Sequence, residues 1–368
     1  MGLTAIVKPT HDCNLACRYC YVDPSAEKGR MDQSTLNKVM EQVANNSQDK
    51  RAHFIWHGGE PLLMGLDFYK QVSEISCNLR KGGYRISNGI QSNATLINDE
   101  LLDFIESKED FQLGLSLDGP KHINDRTRIY SDGTSAFEDI FRGVKRTRER
   151  QMRNGRKRHI GGGVIVVLSQ ANINDLNEIY EFFKKERISI KINPLIQSGR
   201  ATIDLQLHPI QYATALSNLF DKWVTDYESI DIDPFTNIMG NLMTSCPVGC
   251  NFSDNCRRDF ISIGPQGDIY PCGRFDGLKE FWMGNINSTG LEPALSSEVH
   301  KKLLERKVDS IPGCKPCKFN KICNSGCMHN AYTSGDIMGK DPYCLSYKKI
   351  FRHLESFLHT ELRGAEVK

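Results

Sequence analysis

The sequence predicts an α/β protein in two parts: a partial (β/α)6 barrel, then a smaller region organised by cysteines rather than by hydrophobic periodicity. Two observations carry this reading. From residue 5 to about 226, short apolar or β-branched runs alternate with segments of helical spacing. The thirteen cysteines are also unevenly spread, with three before residue 21, nine after 245 and only Cys77 between.

The strand-like runs are 5–9, 52–57, 85–92, 112–118, 162–168 and 188–195. Between them lie helical patterns: Leu36, Val39, Met40 and Val43; Leu101, Leu102, Phe104 and Ile105; Phe137, Ile140, Phe141 and Val144; and Ile179, Phe182 and Phe183. Ser34, Asn98, Ser135 and Asn172 are the expected helix caps. Six successive βα units call for a parallel sheet with helices outside it, and they are too few to close an eight-fold TIM-type barrel. Chemistry in such sheets gathers at the C-terminal ends of the strands, where the first cysteines fall. Past about 230 the rhythm stops. The domain boundary is expected in the polar stretch 198–235, dividing the chain into 1–230 and 231–368.

With 368 residues, 39% of them hydrophobic and 25% charged, the composition is that of an ordinary globular protein. A net charge of +2 gives neither a nucleic-acid-binding field nor an acidic tail. Basic residues do cluster over 146–158, read as a solvated helix face, with contact to an acidic partner peptide as the alternative. The N-terminus lacks a signal-like apolar run, and no stretch approaches the roughly 18 residues of a membrane span. A cytoplasmic protein with no membrane partner is expected, and in that compartment cysteines point to metal rather than disulfides. Cys77, in a helical stretch, is expected to be a buried small hydrophobe.

Cys13, Cys17 and Cys20 form C-x3-C-x2-C directly after the first strand. Three thiolates suit a four-iron cluster that keeps one iron open to a substrate. A zinc site recruiting His11 as fourth ligand is the alternative. The trio, with Tyr19 before its last cysteine, resembles the signature of the radical S-adenosylmethionine (SAM) superfamily. His57-Gly58-Gly59-Glu60-Pro61 resembles the GGE motif of that family, whose carboxylate is expected to receive the SAM ammonium. Gln91-Ser92-Asn93 and Ser116-Leu117-Asp118-Gly119-Pro120 look like further family positions. The resemblance implies a 4Fe–4S cluster on the trio, SAM on its open iron, and a 5′-deoxyadenosyl radical as the reactive species. It also implies a SAM pocket of Tyr19, Gly58, Gly59, Glu60, Asn93 and Ser116, with Arg128 or Arg126 at the SAM carboxylate.

The distal cysteines run Cys250, Cys256, Cys272, Cys314, Cys317, Cys323, Cys327 and Cys344, a spacing that resembles the SPASM extension of peptide- and protein-modifying radical SAM enzymes. That resemblance implies two auxiliary 4Fe–4S clusters, one on Cys250, Cys256, Cys272 and Cys327, the other on Cys314, Cys317, Cys323 and Cys344. Two zinc sites are the alternative. Cys246 is left over, as an inert thiol or a substitute ligand.

The stretches 115–128 and 323–336 resemble the peptide-maturase branch that makes carbon–carbon cyclophane links in ribosomally made precursor peptides. The implied partners are that peptide and an external reductant such as flavodoxin or ferredoxin. Only 12 residues precede Cys13, so a leader-binding module is expected on a separate protein or not at all, the peptide then adding to an exposed strand edge. A second reading is an anaerobic sulfatase-maturing enzyme, a branch with the same cysteine layout. That branch places an aspartate base directly after the cysteine matching Cys272; here Gly273 stands there, with Asp276 nearby. A non-catalytic iron–sulfur electron carrier is a third reading, opposed by the three-cysteine site.

Overall fold

The computed structural model describes residues 2–22, 28–155, 159–253 and 256–366, side chains being described as far as residue 361. Part of the basic cluster, 156–158, lies outside them.

In chain order the elements are β1 (Leu3–Thr10), α1 (Gln33–Asn45), β2 (Arg51–Gly58), α2 (Leu66–Lys81), β3 (Arg85–Ser92), α3 (Asp99–Ser107) and β4 (Phe111–Ser116). The short α4 (Lys121–Asn124) precedes α5 (Phe137–Asn154), β5 (Gly161–Leu168), α6 (Leu176–Lys185), β6 (Ile190–Pro194) and α7 (Pro209–Trp223). Then come β7 (Ile232–Asp233), α8 (Phe235–Thr244), β8 (Phe260–Ile263), β9 (Asp268–Tyr270) and β10 (Gly284–Asn285), and the chain closes on a helix over Cys344–Glu366.

All strands join one open sheet in the order β10-β9-β8-β1-β2-β3-β4-β5-β6-β7. The six expected strands are present and pair in parallel, as βα connections require. The cysteine-rich region adds to the same sheet: β8 pairs in parallel with β1, setting Ile6 beside Ser262.

Alternation along the strands gives the sheet two different faces. On β2, Phe54 and Trp56 are fully buried, and Trp56 packs edge-on against Phe68 of α2. Their neighbours His53, Ile55 and His57 point the other way and are half-exposed. The same half-open face carries Gln91 of β3, Ser116 of β4 and Lys191 and Asn193 of β6. The outer face is thus an apolar seat for helices, and the inner face a polar lumen. On α1, Leu36, Val39, Met40 and Val43 form the expected stripe and are all at 0% exposure.

Four local expectations are corrected. Asp32, not Ser34, caps α1, accepting from Thr35 N at 2.7 Å. Asn98 does cap α3, but α5 starts from Ala136, with Ser135 Oγ one residue earlier accepting from Phe137 N at 3.3 Å. Asn172 precedes a short 3-10 turn and accepts instead from Ser169 N. Several polar residues compete at each helix start, and a cap is chosen by where the backbone turns. Cys77 is exposed, because the buried stripe of α2 runs through Val72, Ser73 and Ser76 and the next residue is rotated about 100° outward. Arg150, in the basic cluster, is held by Asp99, Asp103 and Glu106 of the same chain rather than left open to a partner.

Candidate active site

The Cys13–Cys20 loop leaves the C-terminal end of β1 and is pinned by main-chain bonds from Ala16 N to Ile129 O (2.8 Å) and from Arg18 N to Thr127 O (2.9 Å). The end of β2 passes directly beneath it: Gly59 N donates to Thr10 O and Glu60 N to Asp12 O. A Cβ at position 59 would lie 2.1 Å from Asp12 O, so only glycine lets the two loops meet. Cys13 is exposed, Cys17 and Cys20 half-buried, and the three thiols lie within electrostatic reach of one another. Burial first, then the neighbouring thiols, push Cys17 up to about 12, against the pull of Arg128.

Glu60 is buried at 0% exposure. Its carboxylate accepts from Leu62 N (2.9 Å), Ser92 Oγ (2.9 Å) and Asn93 N (2.7 Å), so it ties the end of β3 to the turn after β2. Burial raises it to about 7, and the three donors hold it from rising further. The carboxylate that the resemblance offers to the SAM ammonium thus makes these three bonds within the chain. Asn93 is placed against the trio, donating to Asn14 Oδ1 at 2.8 Å with Cys13 Sγ 3.8 Å away. Ser116 Oγ accepts from Gln91 Nε2 at 3.1 Å on the lumen face.

Of the two candidate arginines, Arg126 reaches Asp175 and Ala171 O at the surface, away from the trio. Arg128 is buried and donates to Tyr19 Oη, which donates in turn to Asp118. The Tyr19 side chain thus braces the trio from behind. Nothing in the local sequence pairs residues 109 apart, and this link was missed.

The distal cysteines form two neighbourhoods. Cys256 and Cys327 each feel Cys250 and Cys272, while Cys323 and Cys344 each feel Cys314 and Cys317. Burial and mutual repulsion push Cys323 and Cys327 up to about 12. Cys314, Cys317, Cys323 and Cys344 also line one small cavity closed by Phe319, Tyr347 and Phe351. Asp341 joins the two groups, accepting from Cys327 N at 2.9 Å while its carbonyl accepts from Cys344 N. Cys246 and Cys77 are exposed. Four thiolates on one zinc would sit about 4 Å apart around Zn–S bonds near 2.3 Å. Among the described residues no three His, Cys, Asp or Glu side chains converge to hold a single metal ion. Two groups of four cysteines and one of three are the numbers that a four-iron cluster takes when fully ligated or with one iron left open.

The two regions meet at Lys8. Its Nζ, 1% exposed at the residue level, donates to Gly273 O at 2.8 Å and pairs with Asp276 at 2.7 Å. His11 Nε2 lies 2.8 Å from the same carboxylate. Burial alone would raise Asp276, but the His11 bond and the Lys8 charge overcome it and hold the group at about 2. Tyr21 lies between the loops, its ring 5.1 Å from Lys8 Nζ and its hydroxyl 3.4 Å from His57 Nδ1. Burial and the Lys8 charge bring His57 down to about 4, so its imidazole is neutral at pH 7. Residues 265 apart in sequence make this cluster, which no short-range signal could have disclosed.

Comparison with known proteins agrees with this arrangement. Residues 7–183 match the radical SAM superfamily, and residues 250–318 match SPASM, an iron–sulfur cluster-binding domain. A serine-type anaerobic sulfatase-maturating enzyme of Bacteroides thetaiotaomicron is 29% identical over 386 residues, covering 97% of this chain and 90% of its own. A cysteine-type enzyme of Clostridium perfringens is 26% identical, covering 95% and 96%. An uncharacterized Synechocystis protein is 30% identical over 89% of this chain and 84% of its own. Among solved structures, the fold is similar to anSMEcpe with bound AdoMet, at TM-score 0.87, 23% identity and coverage of 99% and 96%. It is also similar to Streptococcus suis SuiB bound to its precursor peptide SuiA, at TM-score 0.66, 16% identity and coverage of 93% and 75%. The chain belongs to the radical SAM superfamily and carries the SPASM iron–sulfur extension.

Proposed function

We propose that this chain is a peptide maturase that removes hydrogen from a ribosomally made precursor peptide and closes an oxidative carbon–carbon crosslink of the cyclophane type. Cys13, Cys17 and Cys20 would hold the SAM-binding 4Fe–4S cluster, and the two distal groups of four would hold the auxiliary clusters. With SAM bound, the first cluster supplies a carbon-centred radical able to take hydrogen from an unactivated C–H bond. The remaining work belongs to the chain. Asn93 and the close Gly59 turn shape the ground beside the trio, and Arg128 with Tyr19 and Asp118 fixes its back wall. Gln91, Ser116 and Asn193 offer polar contacts to a peptide in the half-open lumen. Electrons to start the reaction would come from a flavodoxin or ferredoxin.

The observation that carries the crosslinking reading is the state of position 273 and its surroundings. A Cβ on Gly273 would lie 3.1 Å from Ile6 Cγ2, which leaves an aspartate there crowded. The nearby Asp276 is already neutralised by Lys8 and His11. Neither position 273 nor Asp276 therefore offers a free carboxylate for the proton that aldehyde formation requires, whereas an arene attacked by a radical loses its proton readily. The formylglycine-forming reading draws on the full-length likeness to sulfatase-maturating enzymes. Mass spectrometry of co-expressed candidate peptides separates the two. Crosslinking removes two hydrogens and leaves a product inert to hydrazine. A hydrazine-reactive product would establish the formylglycine reading instead.

A further inference from the structure

We propose that Arg274 is the counter-charge of the auxiliary cluster on Cys250, Cys256, Cys272 and Cys327, raising that cluster's reduction potential so that it is the one poised to take the substrate's electron. This rests on the assignment of those four cysteines to a cluster.

Three observations place the residue. Arg274 follows Cys272 by two positions, and its guanidinium lies within electrostatic reach of Cys327, Cys250 and Cys272. It lines a cavity of about 120 Å3 together with Cys250, Lys191, Asn193 and Asp233, on the side where the lumen meets the cysteines. It is aimed: Nη1 donates to Asn330 Oδ1 at 3.1 Å, and Asn330 is itself fixed by donating to Asp341 at 3.0 Å.

Three other cations lie nearby: Arg257, which faces Cys256 of the same group, and two lysines that are already paired. Lys8 is answered by Asp276 at 2.7 Å, and Lys191 by Asp233 at 3.0 Å. Among the described residues no carboxylate lies within ion-pair distance of Arg274. A half-buried guanidinium without a counter-ion is costly, unless the negative charge it faces is the thiolate-ligated cluster. Such a cluster gains one negative charge on reduction, so a fixed cation favours its reduced form. The other auxiliary group is served by Lys340 and Lys348 beside Cys344, on the surface side of its cavity.

The test is an EPR-monitored redox titration of the fully loaded enzyme and of its Arg274→Gln and Arg274→Lys variants, with iron counted in each. Wild-type iron is read first: about twelve per chain is required for three clusters, and about four would refute the cluster assignment itself. With that satisfied, R274Q should lower one auxiliary potential by at least a tenfold change in the reduction equilibrium, about 59 mV for one electron, and leave the other unmoved. R274K should stay within threefold of wild type. If R274Q loses the cluster while R274K keeps it near the wild-type potential, charge is again the requirement and the proposal stands. Unchanged potentials in a loaded R274Q, or equal cluster loss in both variants, would overturn it.

Discussion

The two ends of the chain solve opposite problems with the same side chain. At the N-terminal end three cysteines sit on a loop whose first thiol is exposed, beside a polar lumen. At the C-terminal end eight cysteines lie in two neighbourhoods of four, with Cys314 and Cys327 buried, aromatic rings round one and Arg274 within reach of the other. An open set can exchange a ligand, whereas a closed set can only exchange electrons. The comparison teaches that what matters is how many thiols converge at one place, since three leave an iron open that four would close, and not how many cysteines the chain holds.

The comparison can be broken from either side. Cys17→Ala should abolish 5′-deoxyadenosine release and remove about four irons per chain while sparing the distal sets, as read by chromatography and iron analysis. Full deoxyadenosine release would end the assignment of the trio. Cys272→Ala should act on the other half, keeping deoxyadenosine release within a few-fold but cutting modified peptide by more than tenfold. Equal loss of both would mean the regions do not divide the labour.

Two smaller changes sharpen the boundary between them. Gly273→Asp must push Ile6 aside, and it should lower stability by about 1–3 kcal/mol in denaturant unfolding, the usual cost of overpacking. It should also fail to produce a hydrazine-reactive peptide, because Lys8 and its paired Asp276 stand beside it. Glu60 predicts a pH effect of definite sign. Its folded value, about 7, is raised above the ordinary 4.5, so its contribution is fully present below 4.5 and declines as pH rises through 7. Relative to Glu60→Gln, wild type should therefore lose roughly 1 kcal/mol between pH 6 and pH 8, measurable by thermal unfolding in parallel. A constant gap across that range would show that Glu60 does not titrate there.

Much of this was legible beforehand, and for a local reason. The six strands follow from two-residue alternation, and α1 from the spacing of Leu36, Val39, Met40 and Val43, both properties of contiguous chain. The spacing of Cys13, Cys17 and Cys20 was legible in the same way, since one loop that places three thiols round one cluster must keep them close in sequence. Cap choice was not, because Ser34 and Asp32 are both adequate acceptors and only the turn of the backbone selects one. The burial of the Glu60 carboxylate was not legible either. It depends on β3 arriving alongside with Ser92 and Asn93 as donors.

By itself, then, the sequence determined the βα array, the open trio after its first strand and the stock of distal thiols, because each is written in short-range spacing. The tertiary structure decided the charge pattern between the two regions. Lys8 from β1 meets Asp276, Arg128 meets Tyr19, and Arg274 is left facing the cysteines, all through parallel pairing of β8 with β1 and the folding back of distant loops. Electrostatic energy depends on distance in space, and partners 265 residues apart acquire a distance only when the sheet forms.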